Sequence, residues 1–339
     1  MYNNRKGMKR IGFFSLLSVS VAALLLLSCN GCQSRKTAVA AEPCIQRSPD
    51  FNADSAYSFI EKQVSFGPRV PGTAAHRACG DYLAAKLTSY GAVVTEQYAD
   101  MTHYDGRNLT IRNIIASFQP EAEKRILLFA HWDSRPFADE ESDPERQQRP
   151  IAGADDGASG VGVLLEIARQ IRQRPPQMGV DIIFFDMEDW GQPSYESHWV
   201  EGEWWCVGSR YWSEEPHVEN YRAAYGILLD MVGAGGAVFP KEGYSVQYAD
   251  KVVEKVWSTA AKLGYAHLFV SQRGGYITDD HLSVNQKQQI PSIDIIHLNE
   301  DTPSGFAAHW HTLADDMRNI DRTTLKAVGQ TVLEVMYGE

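Results

Sequence analysis

The feature that most constrains the fold is an alternation of short apolar runs with longer segments of helical spacing. Runs at residues 92–98, 109–118, 126–131, 180–185, 224–229 and 292–297 have strand character. Helical spacing covers 52–65, 74–90, 159–172, 246–263 and 323–337, with Gly91 stopping the second of these. Strands that are apolar on both faces must be covered on both faces. The pattern therefore predicts an α/β protein with a mostly parallel central sheet flanked by helices on both faces. No linker, repeat or low-complexity run interrupts residues 45–339, which are expected to form a single domain.

The first residues read as an address rather than as fold. Arg5, Lys6, Lys9 and Arg10 precede an apolar stretch over 11–27 that is short for a membrane span, the pattern of a secretory signal over 1–28. Leu26-Leu27-Ser28-Cys29 resembles the bacterial lipoprotein cleavage box, so Cys29 is the expected lipidation site and 29–44 a tether. An exported protein of the cell envelope or periplasm follows, touching a membrane through its anchor only. Without the signal, 28 Lys and Arg face 43 Asp and Glu, a net charge of −15. Such acidity argues against nucleic acid as a partner. Cys32, Cys44, Cys79 and Cys206 remain; a Cys44–Cys79 bond and unpaired thiols are both open. No Cys-x-x-Cys pair accompanies the histidines, which disfavours a thiolate zinc site.

Chemistry-bearing residues collect where the apolar runs end, and in parallel sheets functional groups gather beyond the carboxyl ends of strands. His131-Trp132-Asp133-Ser134 follows one run, Glu188-Asp189 another, and Asp230 a third. Ala154-Asp155-Asp156-Gly157 precedes a helix, where an aspartate serves as a cap or as a metal ligand. Asp279-Asp280-His281 adds a second acidic pair that also suits a helix cap, and His131 taken alone reads first as a satisfied core histidine, otherwise as a metal ligand or a donor that orients one. Adjacent carboxylates such as Glu188 and Asp189 repel unless a cation or a shared proton intervenes. A metal on one leaves the other poised as a general base or acid. With Trp310-His311-Thr312 near the C-terminus, Asp156, Asp189 and His311 make a charge-neutral zinc site with a position open for substrate. Five of the eight tryptophans, Trp190, Trp199, Trp204, Trp205 and Trp212, fall in one stretch that reads as an ordered loop over a site.

This ordered set, together with Phe66-Gly67-Pro68-Arg69-Val70-Pro71-Gly72-Thr73, resembles the zinc exopeptidase superfamily that holds bacterial aminopeptidases and animal-type glutaminyl cyclases. The resemblance runs from about Phe51 to the C-terminus and implies an α/β/α sandwich. For an aminopeptidase it implies two zinc ions, one on His131 and Asp230, the other on Asp189 and His311, with Asp156 bridging and Glu188 as base. For a glutaminyl cyclase it implies one zinc on Asp156, Asp189 and His311, Glu188 as acid/base, and Asp230 and Asp279 hydrogen-bonding around the substrate. Phe306, Trp310 and Trp190 would then wall the pocket. The Trp310-His311-Thr312 and Asp279-Asp280-His281 triplets and the Phe306-to-His311 spacing favour the cyclase. The expected substrate is a peptide or protein with N-terminal glutamine, converted to pyroglutamate with release of ammonia. The alternative is a di-zinc aminopeptidase.

Overall fold

The computed structural model describes residues 46–339, so the signal, the tether, Cys29 and Cys44 lie outside the described residues. Two helices open the fold. Asn52 Oδ1 accepts from Ser55 N to start α1 (Ala53–Val64), and Thr73 Oγ1 accepts from His76 N to start α2 (Ala74–Ser89). Then follow β1 (Val93–Thr102), β2 (Asn108–Phe118), β3 (Arg125–His131), α3 (Pro144–Gln147), α4 (Ala158–Gln173) and β4 (Gly179–Phe185). The second half contains α5 (Val207–Glu214), β5 (Gly226–Asp230), β6 (Phe239–Lys241), α6 (Gly243–Lys262) and β7 (Phe269–Arg273). It closes with α7 (Asp280–Gln286), β8 (Ser292–Ile296) and α8 (Arg322–Tyr337).

The main sheet has six strands in the order β1-β2-β4-β3-β5-β8. β4, β3, β5 and β8 pair in parallel, while β1 and β2 form an antiparallel ribbon added to one side. Side-chain alternation splits the core in two. Ile126, Leu128 and Ala130 of β3 join Ile182 of β4, Ile60 of α1, Leu83 of α2, Leu164 of α4, Val253 of α6 and Val328 of α8 on one face. Leu127 and Phe129 meet Ile183, Phe185, Trp212 of α5 and Val284 of α7 on the other. Helices therefore cover both faces, as the alternation predicted. β6 and β7 form a separate two-stranded sheet that the sequence pattern did not indicate.

The strand order does the positioning. β4, β3 and β5 are neighbours, so the residues at their carboxyl ends lie side by side: Glu188 and Asp189 beyond β4, His131 ending β3, Asp230 ending β5.

Candidate active site

His131 is the hub. Its Nε2 stands 3.1 Å from Asp156 Oδ1 and 3.2 Å from Asp230 Oδ1, and its Nδ1 3.4 Å from Asp133 Oδ1. Burial alone would lower the affinity of this imidazole for a proton. The three carboxylates outweigh it and hold His131 well above its ordinary range. Asp133 turns its oxygens to the backbone as well, accepting from Glu188 N at 3.2 Å and Asp189 N at 3.3 Å. It thereby fixes the turn that presents both acids.

Asp156, Asp189 and His311 each offer a ligand atom, and these lie within 4.8 Å of one another. His131, Asp156 and Asp230 form a second such group, so Asp156 belongs to both. His311 Nε2 is 3.1 Å from Asp189 Oδ1 and 3.6 Å from Asp156 Oδ2. Asp189 Oδ2 is buried with no hydrogen-bond partner. An anionic oxygen in that setting calls for a cation, and two carboxylates with one imidazole suit zinc. Burial, reinforced by Asp156, pushes the Asp189 carboxyl up, although His311 opposes the shift. The residues present fit a zinc ion.

The imidazole of His311 is held from behind. Its Nδ1 lies 3.3 Å from Asp139 Oδ1, and Arg135 grips Asp139 with Nε and Nη2 at 2.6 Å each. Arg135 Nη1 also donates to the Asp189 carbonyl at 3.0 Å. One buried guanidinium therefore braces two of the three ligands. Asp315 does the same for the third, accepting from Asp155 N at 2.8 Å and Asp156 N at 3.1 Å. None of Arg135, Asp139 and Asp315 was indicated by the sequence pattern.

The aspartate loop did not become a helix cap. Gly157, with φ +92°, is the N-cap of α4, and no side chain caps it. Asp155 instead accepts from Gly233 N at 2.8 Å, and its Oδ2 stands 3.0 Å from His309 Nε2. A Cβ at Gly157 would lie 2.5 Å from the Asp133 carbonyl and 3.0 Å from His131 Cε1. Gly157→Ala is therefore expected to cost on the order of 1–3 kcal/mol. Chemical denaturation checks this, and an unchanged midpoint would contradict the geometry. Arg69, from the Phe66–Thr73 segment, supports the same loop by donating to the carbonyls of Ala152 at 2.7 Å and Gly153 at 2.6 Å.

Glu188 keeps a partial opening to solvent while its neighbour Asp189 is buried. Its carboxyl is pushed well above the usual range by burial; His131 opposes that shift, and Asp279, Asp189 and Asp280 add to it. Asp230 is raised to about 7 by burial, against the pull of His131. Asp279 is also raised to about 7, by burial and then by Asp230. Asp279 also caps α7, accepting from Asp280 N at 2.6 Å, so capping and site membership coexist.

Trp310 stacks on His311 with ring centroids 3.7 Å apart, and Phe306 packs on Trp310 at 4.5 Å. These two rings form a wall beside the candidate metal ligands. Trp190 does not face them. It is 1% exposed and packs against His103 and beneath Arg107 at the tip of the β1–β2 hairpin. Trp205 instead lies parallel to His311 with ring centroids 6.1 Å apart, and the Arg135 guanidinium sits 4.5 Å over the Trp205 ring. Trp212 belongs to the core under α5, leaving Trp199, 61% exposed, as the outermost of the five.

The profile of peptidase family M28 matches residues 113–336, the span that holds the candidate metal ligands, Glu188, Asp230 and Asp279. The chain belongs to peptidase family M28. This M28 protein is 57% identical to a zinc-dependent exopeptidase from Parabacteroides distasonis, whose structure covers 86% of this chain and 100% of its own at a TM-score of 0.85. A glutaminyl cyclase from Bacteroides thetaiotaomicron, bound to N-acetylhistamine, is 55% identical, covering 86% of this chain and 99% of its own at a TM-score of 0.84. A glutaminyl-peptide cyclotransferase of Bos taurus is 26% identical over 301 residues, 80% of this chain and 77% of its own. The α/β/α architecture expected from the sequence is thus that of a group of zinc exopeptidase-like M28 proteins.

Proposed function

We propose that this M28 protein is a glutaminyl cyclase, converting N-terminal glutamine of peptides or proteins to pyroglutamate and releasing ammonia. The observation that carries the reading is the 55% identity to a bacterial glutaminyl cyclase across 99% of that chain. The wall of Phe306 and Trp310 beside His311 supports it, since cyclisation needs a pocket that excludes water.

A zinc ion held by Asp156, Asp189 and His311 would act as a Lewis acid toward the substrate's side-chain amide oxygen. Glu188 takes a proton from the substrate α-amine, whose nitrogen bonds to the side-chain carbonyl carbon. The same carboxyl then returns the proton to the departing nitrogen, and the C–N bond of the amide breaks to free ammonia. Asp230 and Asp279 accept hydrogen bonds from the amine and orient it. Phe306 and Trp310 hold the side chain folded, so nucleophile and electrophile of one residue meet; this proximity supplies much of the rate. No water is activated in this scheme, and a second metal is not required. His131, with carboxylates at both ring nitrogens, serves as the polar bridge between Asp156 and Asp230.

Export and anchoring through an acylated Cys29 belong to the same proposal, supported by the basic start, the apolar stretch and the Leu26-Leu27-Ser28-Cys29 box. The substrates would then be envelope peptides or exported proteins with exposed N-terminal glutamine. Purified protein is expected to release ammonia from Gln-peptides and leave pyroglutamyl products. Rapid release of free leucine from Leu-peptides, with two zinc ions per chain, would instead establish the aminopeptidase.

A further inference from the structure

The loop that returns from the tryptophan-rich stretch is laced onto the catalytic turn. Cys206 N donates to the Glu188 carbonyl at 2.9 Å, Val207 N to Met187 O at 3.0 Å, and Gly208 N to Asp186 O at 2.9 Å. The lacing is close: a Cβ at Gly208 would fall 2.2 Å from Asp186 O. It places Cys206 directly opposite Glu188, with Sγ 3.2 Å from Glu188 Oε1. Among the described residues this thiol is the only hydrogen-bond donor to the Glu188 carboxylate.

Two further observations single the thiol out. Cys206 has φ +54°, a left-handed conformation that glycine or asparagine adopts at lower cost. A side chain is therefore present where the backbone alone would favour glycine. The thiol is also buried, and burial followed by the charge of Glu188 pushes its ionisation well above the ordinary range, so it remains a donor.

We infer that Cys206 is a positioning residue for Glu188: its thiol pins Oε1 and leaves Oε2 turned to the substrate amine. The inference rests on the reading of Glu188 as the proton carrier in glutamine cyclisation. A thiol suits the task because it is a weak donor. It fixes the direction of the carboxylate while stabilising the anion less than a hydroxyl or an amide would, so proton uptake is not suppressed.

The experiment compares Cys206→Ala, Cys206→Gly and Cys206→Ser with wild type for kcat, KM, zinc content and Tm. Ala and Gly keep every backbone contact and remove the donor; Ser restores one. Expected are kcat values about tenfold below wild type for Ala and Gly, with KM and zinc content little changed. Ser is expected to recover to within about threefold of wild type. Wild-type kcat in Ala and Gly, or a Ser variant as impaired as Ala, would overturn the inference. Should wild type form no pyroglutamate, the cyclase reading fails, and the crystal structure of Cys206→Ala decides the positioning alone. A Glu188 side chain with unchanged torsions would then overturn it, and a displaced or split carboxylate would sustain it.

Discussion

Glu188→Gln is expected to lower kcat on Gln-peptides by on the order of 10²–10⁴-fold while bound zinc stays near the wild-type level. Glutamine preserves the shape of the side chain and the backbone bonds that Glu188 N and the Glu188 carbonyl make to Asp133 and Cys206. It removes the ability to take a proton from the amine and return it to ammonia. The wild-type carboxyl is raised well above its ordinary range, by burial first and then by Asp279, Asp189 and Asp280, with His131 opposing. Its ionised form is thus disfavoured in the fold relative to the unfolded chain, and that penalty grows as pH rises above the unfolded carboxylate range. Replacing it by a neutral group removes the penalty, so with zinc stripped from both proteins Tm at neutral pH should equal or exceed that of wild type. Loss of turnover together with unchanged or raised Tm separates a catalytic role from a structural one. A Glu188→Gln enzyme retaining wild-type kcat would remove this residue from the mechanism.

Much of this arrangement was legible in the sequence because a parallel sheet converts order along the chain into adjacency in space. The strands β3, β4 and β5 end at His131, Phe185 and Asp230, so the polar residues at and after each end had to meet. For Phe306 and Trp310 it is the resemblance to glutaminyl cyclases that points to a shared wall, and the structure packs the two rings together beside His311. What was not legible depends on loops that pack by shape. Of the five tryptophans in the stretch, the resemblance to glutaminyl cyclases points to Trp190 as the wall. The β1–β2 hairpin nevertheless covers Trp190, and a returning loop brings Trp205 to His311. The Arg135–Asp139 pair was invisible for another reason: an arginine four residues before an aspartate reads as a surface ion pair. Here both are buried against a candidate metal ligand.

That buried pair sets the second large effect, on metal retention. His311→Ala removes one of three candidate ligands and is expected to leave the chain essentially free of zinc after dialysis against a mild chelator. Asp139→Asn keeps a polar group beside His311 Nδ1 but removes the charge that orients the ring. Losing such an outer partner is expected to weaken zinc affinity by about 10–100-fold, with kcat recovering when zinc is supplied in excess. Arg135 must then hold a neutral amide instead of Asp139, whose carboxyl is kept well below the usual range although burial alone would raise it. Some loss of stability is therefore expected beside the loss of metal. The count of ions is read from His131→Asn in the same assay. If Asp156, Asp189 and His311 form the one zinc site, zinc per chain stays at the wild-type value, because His131 only bridges Asp156 and Asp230. If the pair His131 and Asp230 holds a second ion, the variant loses half of its zinc, and the reaction scheme without activated water fails with it. His311 and Asp139 thus report how the metal is held, and His131 reports which chemistry it serves.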